Sequence, residues 1–232
     1  MTKNIDEQTS DLSKGEVKTR SPGRPGNKTK LREKVLDEAE LAFAEKGFSG
    51  TTTRDIASRA GVNTNLIRYY FETKQFLFNE VIRRRGAILS GHRHVLLDRL
   101  IANNPNHTLE DLIRAYIQPQ WDTKHSGPGG AAFIRLQARL HAEPNKQSLD
   151  LRREVYDAAL RRYISVVEPL LPHLTRETIS LRWAFLVGTY LFMLNDLGRV
   201  EDISDGVITD LSNNEMLDNL VGFLAAGFKA PM

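Results

Sequence analysis

Apolar side chains recur along most of this chain at the three- and four-residue spacing of amphipathic helices. In the first such run, which follows residue 27, one helical face collects Leu31, Val35, Leu36, Ala39, Ala42 and Phe43. Gly47 comes next and is expected to end that helix in the left-handed conformation. No alternating run of apolar and polar residues bounded by turns indicates a strand, so the pattern predicts an all-α fold.

The stretch 47–74 has the signals of a helix, a tight turn and a second helix. Thr52 and Asp55 have the spacing of a capping box, which opens the first of the two helices. Gly61 can adopt the positive φ that the turn requires, and Asn63 is placed to cap the second helix. The stretch therefore predicts a helix-turn-helix.

The second helix of this motif has two different faces. Ile67, Tyr70 and Phe71 fall at i, i+3 and i+4 and are expected to pack inward. The opposite face presents Thr64, Asn65, Arg68 and Tyr69. Asn and Arg side chains can pair with adenine and guanine, and a Tyr ring can touch a thymine methyl group. This face is therefore predicted to meet base edges in the major groove of DNA.

Six more helices are predicted after this motif, which makes about nine in all. The first begins near 74 and continues past 94, and the approximate ranges of the others are 108–121, 130–142, 148–171, 175–195 and 213–228. A break in the first of them is expected near Gly86 or Gly91. A polar connection over 198–212 should separate the last two helices.

Charge is distributed unevenly over the 232 residues, whose net charge is +3. The part through Val95 holds 18 Lys and Arg against 12 Asp and Glu, whereas the remainder holds 14 against 17. The basic end is the one expected to meet phosphates. Residues 1–27 are polar and are predicted to form a disordered basic arm. Within it, Arg24 either threads an adjacent minor groove or belongs to an ordinary solvated tail.

The 31–77 stretch resembles the TetR family of transcriptional regulators, through its Gly-Phe-x-x-Thr-Thr-Thr start, its Ala-Gly-Val turn and its Tyr-Tyr-Phe-x-x-Lys end. The resemblance implies phosphate contacts from Thr51, Thr52, Thr53, Arg54 and Lys74. It also places Thr64, Asn65, Arg68 and Tyr69 in the major groove. Arg68 stands where family members often carry Tyr, so the resemblance does not fix which base pair it reads.

The resemblance also implies a three-part organisation. The basic arm (1–27) precedes a helix-turn-helix DNA-binding domain (28–74) and a helical ligand-binding and dimerisation domain (75–232). The helix that begins after Thr175 is apolar nearly all round, as expected of a helix buried on several sides. Together with the last helix and their symmetry mates, it would form the four-helix bundle of a homodimer that reads a palindromic operator.

Aromatic and polar residues of the middle helices are the candidates for a small-molecule site. They are Tyr116, Trp121, Phe133, Gln137, His141, Trp183 and Tyr190. As a set they would line an apolar cavity with a few polar anchors, although plain core packing explains each one separately. The 133–144 stretch resembles the C-terminal domain of PsrA-type TetR regulators. That resemblance implies an apolar effector such as a fatty acyl group or an acyl-CoA.

Several other classes of protein find no support. The chain has no cysteine, its start lacks the apolar core of a signal peptide, and no apolar run is long enough to span a bilayer. A cytoplasmic location is therefore expected. The pairs His92 with His94 and His141 with Glu143 have an i, i+2 spacing that points their side chains apart on a helix. We expect no metal, no cofactor and no enzymatic activity.

One alternative within the binding class stays open. The chain could be a DNA-binding regulator that responds to a protein partner instead of a small molecule, or one that activates instead of repressing. A filled C-terminal core would favour control by a partner, and a cavity would favour ligand sensing. Repression is the mode that the family resemblance implies.

Overall fold

The computed structural model describes residues 25–195, 199–209 and 211–231, with side chains from residue 28 onward. These residues form ten α-helices and one short 3-10 turn and contain no strand, which confirms the all-α prediction. The predicted disordered arm and Arg24 lie outside the described residues, except for residues 25–27, which begin the first helix.

The helices are α1 (Pro25–Gly50), α2 (Thr53–Ala60), α3 (Thr64–Phe71), α4 (Lys74–Asn103), α5 (Leu109–His125), α6 (Pro128–Ala142), α7 (Lys146–Val167), α8 (Arg176–Leu194), α9 (Arg199–Ile203) and α10 (Asn213–Lys229), with the 3-10 turn at Glu168–Leu170. The short α9 lies in the stretch that was predicted to be a polar connection. Helix α7 ends at Val167, earlier than predicted, because Pro169 has no N–H to continue the helical hydrogen bonds.

Helices α1, α2 and α3 form the N-terminal head. Gly47 has φ +74° and ψ 175°, so α1 is kinked at the residue where the sequence predicted its end, although helical turns resume as far as Gly50. Ile56 and Ala60 of α2 pack with Phe43 of α1 in the core, each at 0% exposure. This packing fixes the angle between the helix-turn-helix and the rest of the head.

Helix α4 runs for 30 residues without a break and carries the chain from the head into the C-terminal domain. The break predicted near Gly86 or Gly91 is wrong. Gly86 is buried against α7, where an added Cβ would lie 2.0 Å from Cγ1 of Val155. This glycine therefore serves a close approach between two helices, whereas Gly91 has open space around it.

The head and the C-terminal domain share one continuous hydrophobic core. Helix α1 packs against both α4 and α6, and α4 packs against α5 and α7. Glu40 of α1 is 1% exposed and accepts hydrogen bonds from Arg84 Nη2 (3.2 Å) and Arg85 Nε (2.8 Å) of α4. These contacts join α4 directly to α1 of the head. Among the described residues, no helix has the length and apolarity to cross a membrane.

Candidate nucleic-acid interface and C-terminal core

Side-chain caps fix the residues at which α2 and α3 begin. The backbone N–H of Asp55 donates to Thr52 Oγ1 (3.1 Å), and the carboxylate of Asp55 accepts from the N–H of Thr52 (3.1 Å). Hydrogen bonding by Thr52 lowers the pKa of Asp55 below its ordinary value. Gly61 has φ +62°, and Asn63 Oδ1 accepts from the N–H of Asn65 (2.8 Å). The predicted capping box, turn glycine and second cap are all confirmed.

The two predicted faces of α3 differ sharply in exposure. Ile67 and Phe71 are buried at 1% and 0% exposure, whereas Tyr69 is 70% exposed. Asn65 and Arg68 are also exposed, and Thr64 is half-buried. Three of the four residues predicted to meet base edges are therefore exposed on the surface.

Tyr70 packs against the hydrophobic core, as predicted, but it is less buried than Ile67 and Phe71. It is only half-buried, and its hydroxyl donates to the backbone oxygen of Lys28 (3.1 Å). Its ring lies 5.2 Å from that of Tyr69 in an edge-to-face arrangement. Tyr70 thus joins α3 to the start of α1 and supports the ring of Tyr69 from one side.

The residues predicted to contact phosphates fall into two groups. Thr52 and Arg54 are exposed and Thr53 is half-buried at the N-terminus of α2. Within the described part of the chain, neither Arg54 nor Arg68 forms an ion pair. Both guanidinium groups are therefore available to an anionic partner.

Thr51 and Lys74 both make internal contacts, Thr51 as a buried residue and Lys74 as a half-buried one. Thr51 is 0% exposed, and its hydroxyl lies within hydrogen-bond distance of the oxygens of Ala42 (3.0 Å) and Gly47 (2.7 Å). Lys74 Nζ donates to the oxygens of Phe48 (2.9 Å) and Thr51 (3.0 Å). These contacts fasten the turn between α1 and α2, and they leave the Lys74 ammonium group one further N–H donor.

The seven residues predicted to line an effector cavity lie in or beside the packed C-terminal core. Five of them belong to the continuous hydrophobic core, namely Tyr116, Trp121, Phe133, Trp183 and Tyr190. Gln137 is 1% exposed, and His141 is half-buried. Edge-to-face contacts fill the space between their rings, as between Tyr116 and Trp183 at 5.3 Å. In this structure the residues therefore make core contacts with one another.

Arg93 of α4 is buried among these residues, at 1% exposure, and sequence reasoning missed it. Its Nε donates to the backbone oxygen of Tyr116 (2.9 Å), and its Nη2 donates to Gln120 Oε1 (2.9 Å) and to the hydroxyl of Tyr190 (3.1 Å). Its guanidinium carbon lies 3.8 Å from the centre of the Tyr116 ring. Gln120 Nε2 in turn donates to Gln137 Oε1 (2.5 Å). Two of the predicted ligand residues, Tyr116 and Tyr190, therefore contact Arg93 directly, and Gln137 is linked to it through Gln120.

The sequence did contain a signal for this arginine. Arg93 lies four residues after Leu89 and four before Leu97, which are 2% and 0% exposed. That spacing places it on the buried face of α4. The signal is weak because His92 and His94 flank Arg93, and a run of polar residues is typical of an exposed helix surface.

A cavity of about 550 Å³ does exist, but it lies at the junction of the head and the C-terminal domain. Its walls come from the end of α1, the start of α4, α6 and the start of α7, and none of the seven predicted ligand residues lines it. Arg139 on its wall donates from Nη1 to the backbone oxygen of Phe43 (3.3 Å). The cavity is therefore placed between the two parts of the molecule that an effector would have to move.

Helices α8 and α10 present large apolar side chains to the surface. Leu181, Phe185 and Phe192 of α8 are 55%, 60% and 61% exposed, and Phe223 of α10 is 70% exposed. Phe185 and Phe223 also line one surface cavity of about 230 Å³ between the two helices. An exposed apolar surface of this kind is typical of a protein interface. No cluster of potential metal ligands occurs among the described residues.

Two family profiles match the chain and together span both of its parts. The profile described as "Bacterial regulatory proteins, tetR family" matches residues 35–81, which contain the helix-turn-helix. The profile described as "Tetracyclin repressor-like, C-terminal domain" matches residues 114–227.

Curated relatives are similar over part of their length. The HTH-type transcriptional repressor KstR2 of Mycolicibacterium smegmatis is 32% identical over 95 residues, which cover 41% of this chain and 45% of KstR2. The biofilm operon icaADBC negative regulator IcaR of Staphylococcus aureus is 21% identical over 127 residues, which cover 55% of this chain and 62% of IcaR. The chain thus matches less than two thirds of either relative.

Solved structures share the fold at low sequence identity. HlyIIR, a hemolysin II transcriptional regulator, has a TM-score of 0.60 at 17% identity, and the match covers 85% of this chain and 98% of HlyIIR. The fatty acid degradation regulator FadR from Bacillus halodurans has a TM-score of 0.57 at 14% identity, covering 84% of this chain and 98% of FadR. The helical head and the helical C-terminal domain are therefore shared with these proteins.

Proposed function

Because this chain belongs to the TetR family of DNA-binding transcriptional regulators, we propose that it is a repressor that binds a palindromic operator as a homodimer and is released by a small molecule. The observation that carries this proposal is the asymmetry of α3. One face is anchored in the core by Ile67 and Phe71, and the other exposes Asn65, Arg68 and Tyr69.

The exposed face of α3 suits the major groove of DNA. Arg68 can donate two hydrogen bonds to guanine, and Asn65 can pair with adenine. Tyr69 brings a large apolar ring edge next to them, and Thr64 lies at the N-terminal end of the same helix. Thr52, Thr53 and Arg54 stand at the start of α2, where phosphate contacts would set the position of the head on the duplex.

The homodimer would form through α8 and α10. Phe185 and Phe223 are large, exposed and adjacent across these two helices, and aromatic residues of this kind dominate the energy of protein interfaces. Packing of α8 and α10 against their symmetry mates would bury these rings in a four-helix bundle. A two-fold dimer then presents two α3 helices to successive major grooves, which lie about 34–36 Å apart.

The effector would act through α4, which runs from the head into the C-terminal core. A small molecule that binds one position of α4 better than another shifts the population of the dimer between those positions. A shift that separates the two α3 helices releases the operator. An apolar effector such as a fatty acyl compound would have to displace rings of the packed C-terminal core, among them Trp183 and Phe133, in order to bind there.

Control by a protein partner is the second candidate, and the packed C-terminal core favours it. Transcription would be restored by a small molecule in the first candidate and by a protein partner in the second. One experiment distinguishes them. Purified protein selects its operator from a randomised duplex library, and the selected site is footprinted. The proposal expects a palindromic footprint and loss of binding with small-molecule extracts. An asymmetric footprint, or operator binding that only macromolecular fractions affect, would contradict it.

A further inference from the structure

Arg93 carries a charge that the protein itself does not neutralise. An arginine side chain stays protonated throughout the accessible pH range. Among the described residues, none of the groups that contact its guanidinium is a carboxylate; they are the backbone oxygen of Tyr116, the amide oxygen of Gln120 and the hydroxyl of Tyr190. A buried charge without a counter-ion is strongly unfavourable, so its presence in this core calls for a function.

The guanidinium also has unused donors. Its three hydrogen bonds involve Nε and Nη2, and Nη1 makes none within the described part of the chain. Arg93 is 1% exposed, so these N–H groups are nearly shielded from solvent. The free Nη1 group therefore has the properties of an anchor for an anion.

The surroundings of Arg93 are rich in neutral hydrogen-bonding groups. Burial raises the pKa of Tyr156 and of Tyr190, so both hydroxyl groups keep their protons. His141 is also held neutral, because burial, Arg152 and Arg93 together lower its pKa to about 4. None of these groups repels an anion. The Tyr190 hydroxyl already donates to Gln120 Oε1 (2.9 Å), whereas the buried Tyr156 hydroxyl has no hydrogen-bond partner among the described residues and can donate to an anion.

We propose that the effector is an organic acid with an apolar body, whose carboxylate binds to Nη1 of Arg93 in the C-terminal core; this inference rests on the proposed ligand-responsive function. Arginine is the side chain best matched to a carboxylate, because its planar N–H groups pair with the two oxygens. The rings of Tyr116 and Trp183 provide apolar surroundings for the rest of the molecule. A CoA thioester has no charge on its acyl carbonyl, so the site selects the free acid.

Occupation of this site would move the helix that controls the head. The core is closely packed in this structure, so a carboxylate with an apolar body must displace rings and shift α4. Arg93 lies 19 residues after Lys74 in the same helix, or about 28 Å along its axis. Lys74 fastens the turn that precedes α2. An acid that binds at Arg93 is therefore connected to the DNA-binding face by one continuous helix.

The test compares ligands that differ only in charge. Thermal unfolding and isothermal titration are measured on the full-length protein with decanoate, decanamide, decan-1-ol and decanoyl-CoA, and then with palmitate and benzoate. Decanoate should bind wild-type protein at least about tenfold more tightly than decanamide, since a charge-assisted pair is lost with the amide. Equal binding of acid and amide, stronger binding of the CoA ester, or no binding of any of the three acids would overturn the proposal.

Variants locate the site. Arg93→Gln should lower decanoate affinity at least about tenfold, and Arg93→Lys should retain part of it, because the charge remains. Arg161→Gln, at an exposed position of α7, is the matched control and should bind decanoate like wild type. If Arg93→Gln does not fold, the comparison of acid with amide on wild-type protein still decides the proposal.

Operator binding is measured separately, so that the two proposals fail in different ways. Decanoate binding that leaves operator affinity unchanged would refute release by the ligand while supporting the carboxylate site. Operator binding by a protein to which no acid binds would refute the carboxylate site and leave DNA binding intact.

Discussion

Gly86 of α4 and Val155 of α7 touch so closely that a Cβ added at Gly86 would lie 2.0 Å from Cγ1 of Val155. The contact brings the helix that leaves the head against a long helix of the C-terminal domain. It also makes Ser90 of the same helix face α7, where its hydroxyl donates to the backbone oxygen of Val155 (2.7 Å). Small side chains at this crossing therefore set the position of α4.

Gly86→Ala should lower the free energy of unfolding by about 1–3 kcal/mol, because the methyl group forces α4 and α7 apart. Chemical denaturation measures the loss. Gly91→Ala is the matched control on the same helix, where nothing lies within 4 Å of the added Cβ. It should stabilise the protein by up to about 1 kcal/mol, since alanine is the better helix former. Similar effects of the two substitutions would contradict the close approach at Gly86.

Arg68→Ala should relax sequence preference at one base pair of each half-site, at a cost of about 1–3 kcal/mol for the preferred operator. The loss comes from the hydrogen bonds between guanidinium and base. Selection from a randomised duplex library measures the preference at each position. Arg161→Ala removes the same charge from an exposed position of α7 and should leave preference unchanged. A uniform loss of affinity across all sequences would mean that Arg68 contacts a phosphate.

Thr51→Val should destabilise the protein by about 1–3 kcal/mol and leave the operator affinity of the folded protein unchanged. The valine has nearly the same shape, but it leaves the oxygens of Ala42 and Gly47 without the Thr51 hydroxyl. Thr53 lies at the half-exposed start of α2 and is proposed to contact a phosphate. Thr53→Val should therefore weaken operator binding and leave the free energy of unfolding unchanged. Thermal unfolding and operator titration are run on both variants. Lost affinity at full stability for Thr51→Val would restore Thr51 as a DNA contact.

Stability should fall as the pH decreases from about 6.5 to about 4, partly because of His141. Burial and the charges of Arg152 and Arg93 lower its pKa to about 4, whereas an unfolded histidine titrates near 6.5. Between these values the unfolded chain binds the proton and the folded chain does not, which favours unfolding by up to about 3 kcal/mol.

His141→Gln should flatten that part of the pH profile. Denaturation midpoints are measured at half-unit intervals between pH 4 and pH 7, beside His92→Gln as an exposed-site control on α4. The two control profiles, wild type and His92→Gln, should run parallel. A slope for His141→Gln equal to that of wild type would show that His141 is freely protonated in the folded protein.

Phe185→Glu combined with Phe223→Glu should give a folded monomer that binds the operator much more weakly than wild type. Two charges placed in an apolar interface would lose their hydration on association, which opposes dimer formation. Sedimentation velocity measures the mass. Leu149→Glu adds a charge at an exposed leucine of α7 and should remain dimeric. A double variant with wild-type mass would exclude this surface from the interface.

Local structure was predictable because its causes are local. A capping box needs residues three positions apart, and the turn at Gly61 needs a residue that accepts positive φ, so Thr52, Asp55, Gly61 and Asn63 were identified from the sequence. The inward face of α3 followed from helical period alone, with Ile67 and Phe71 as its buried residues. Tyr70 packs against the core on that face too, and its hydroxyl donates at the surface to the backbone oxygen of Lys28, 42 residues away.

Long-range contacts decided the rest. Lys74 and Thr51 looked like surface residues of a DNA-binding motif, and only the packing of α1 against α4 shows that they hold a turn together. Gly86 looked like a helix breaker because sequence does not reveal which helix will cross it. Arg93 sat among polar neighbours, and its burial depends on α5 and α8, which supply Tyr116, Gln120 and Tyr190. The sequence by itself determined the helices and the DNA-binding motif, whose physics is contained within a few turns. The position of the buried charge was decided by tertiary structure, because the groups that surround it come from distant parts of the chain.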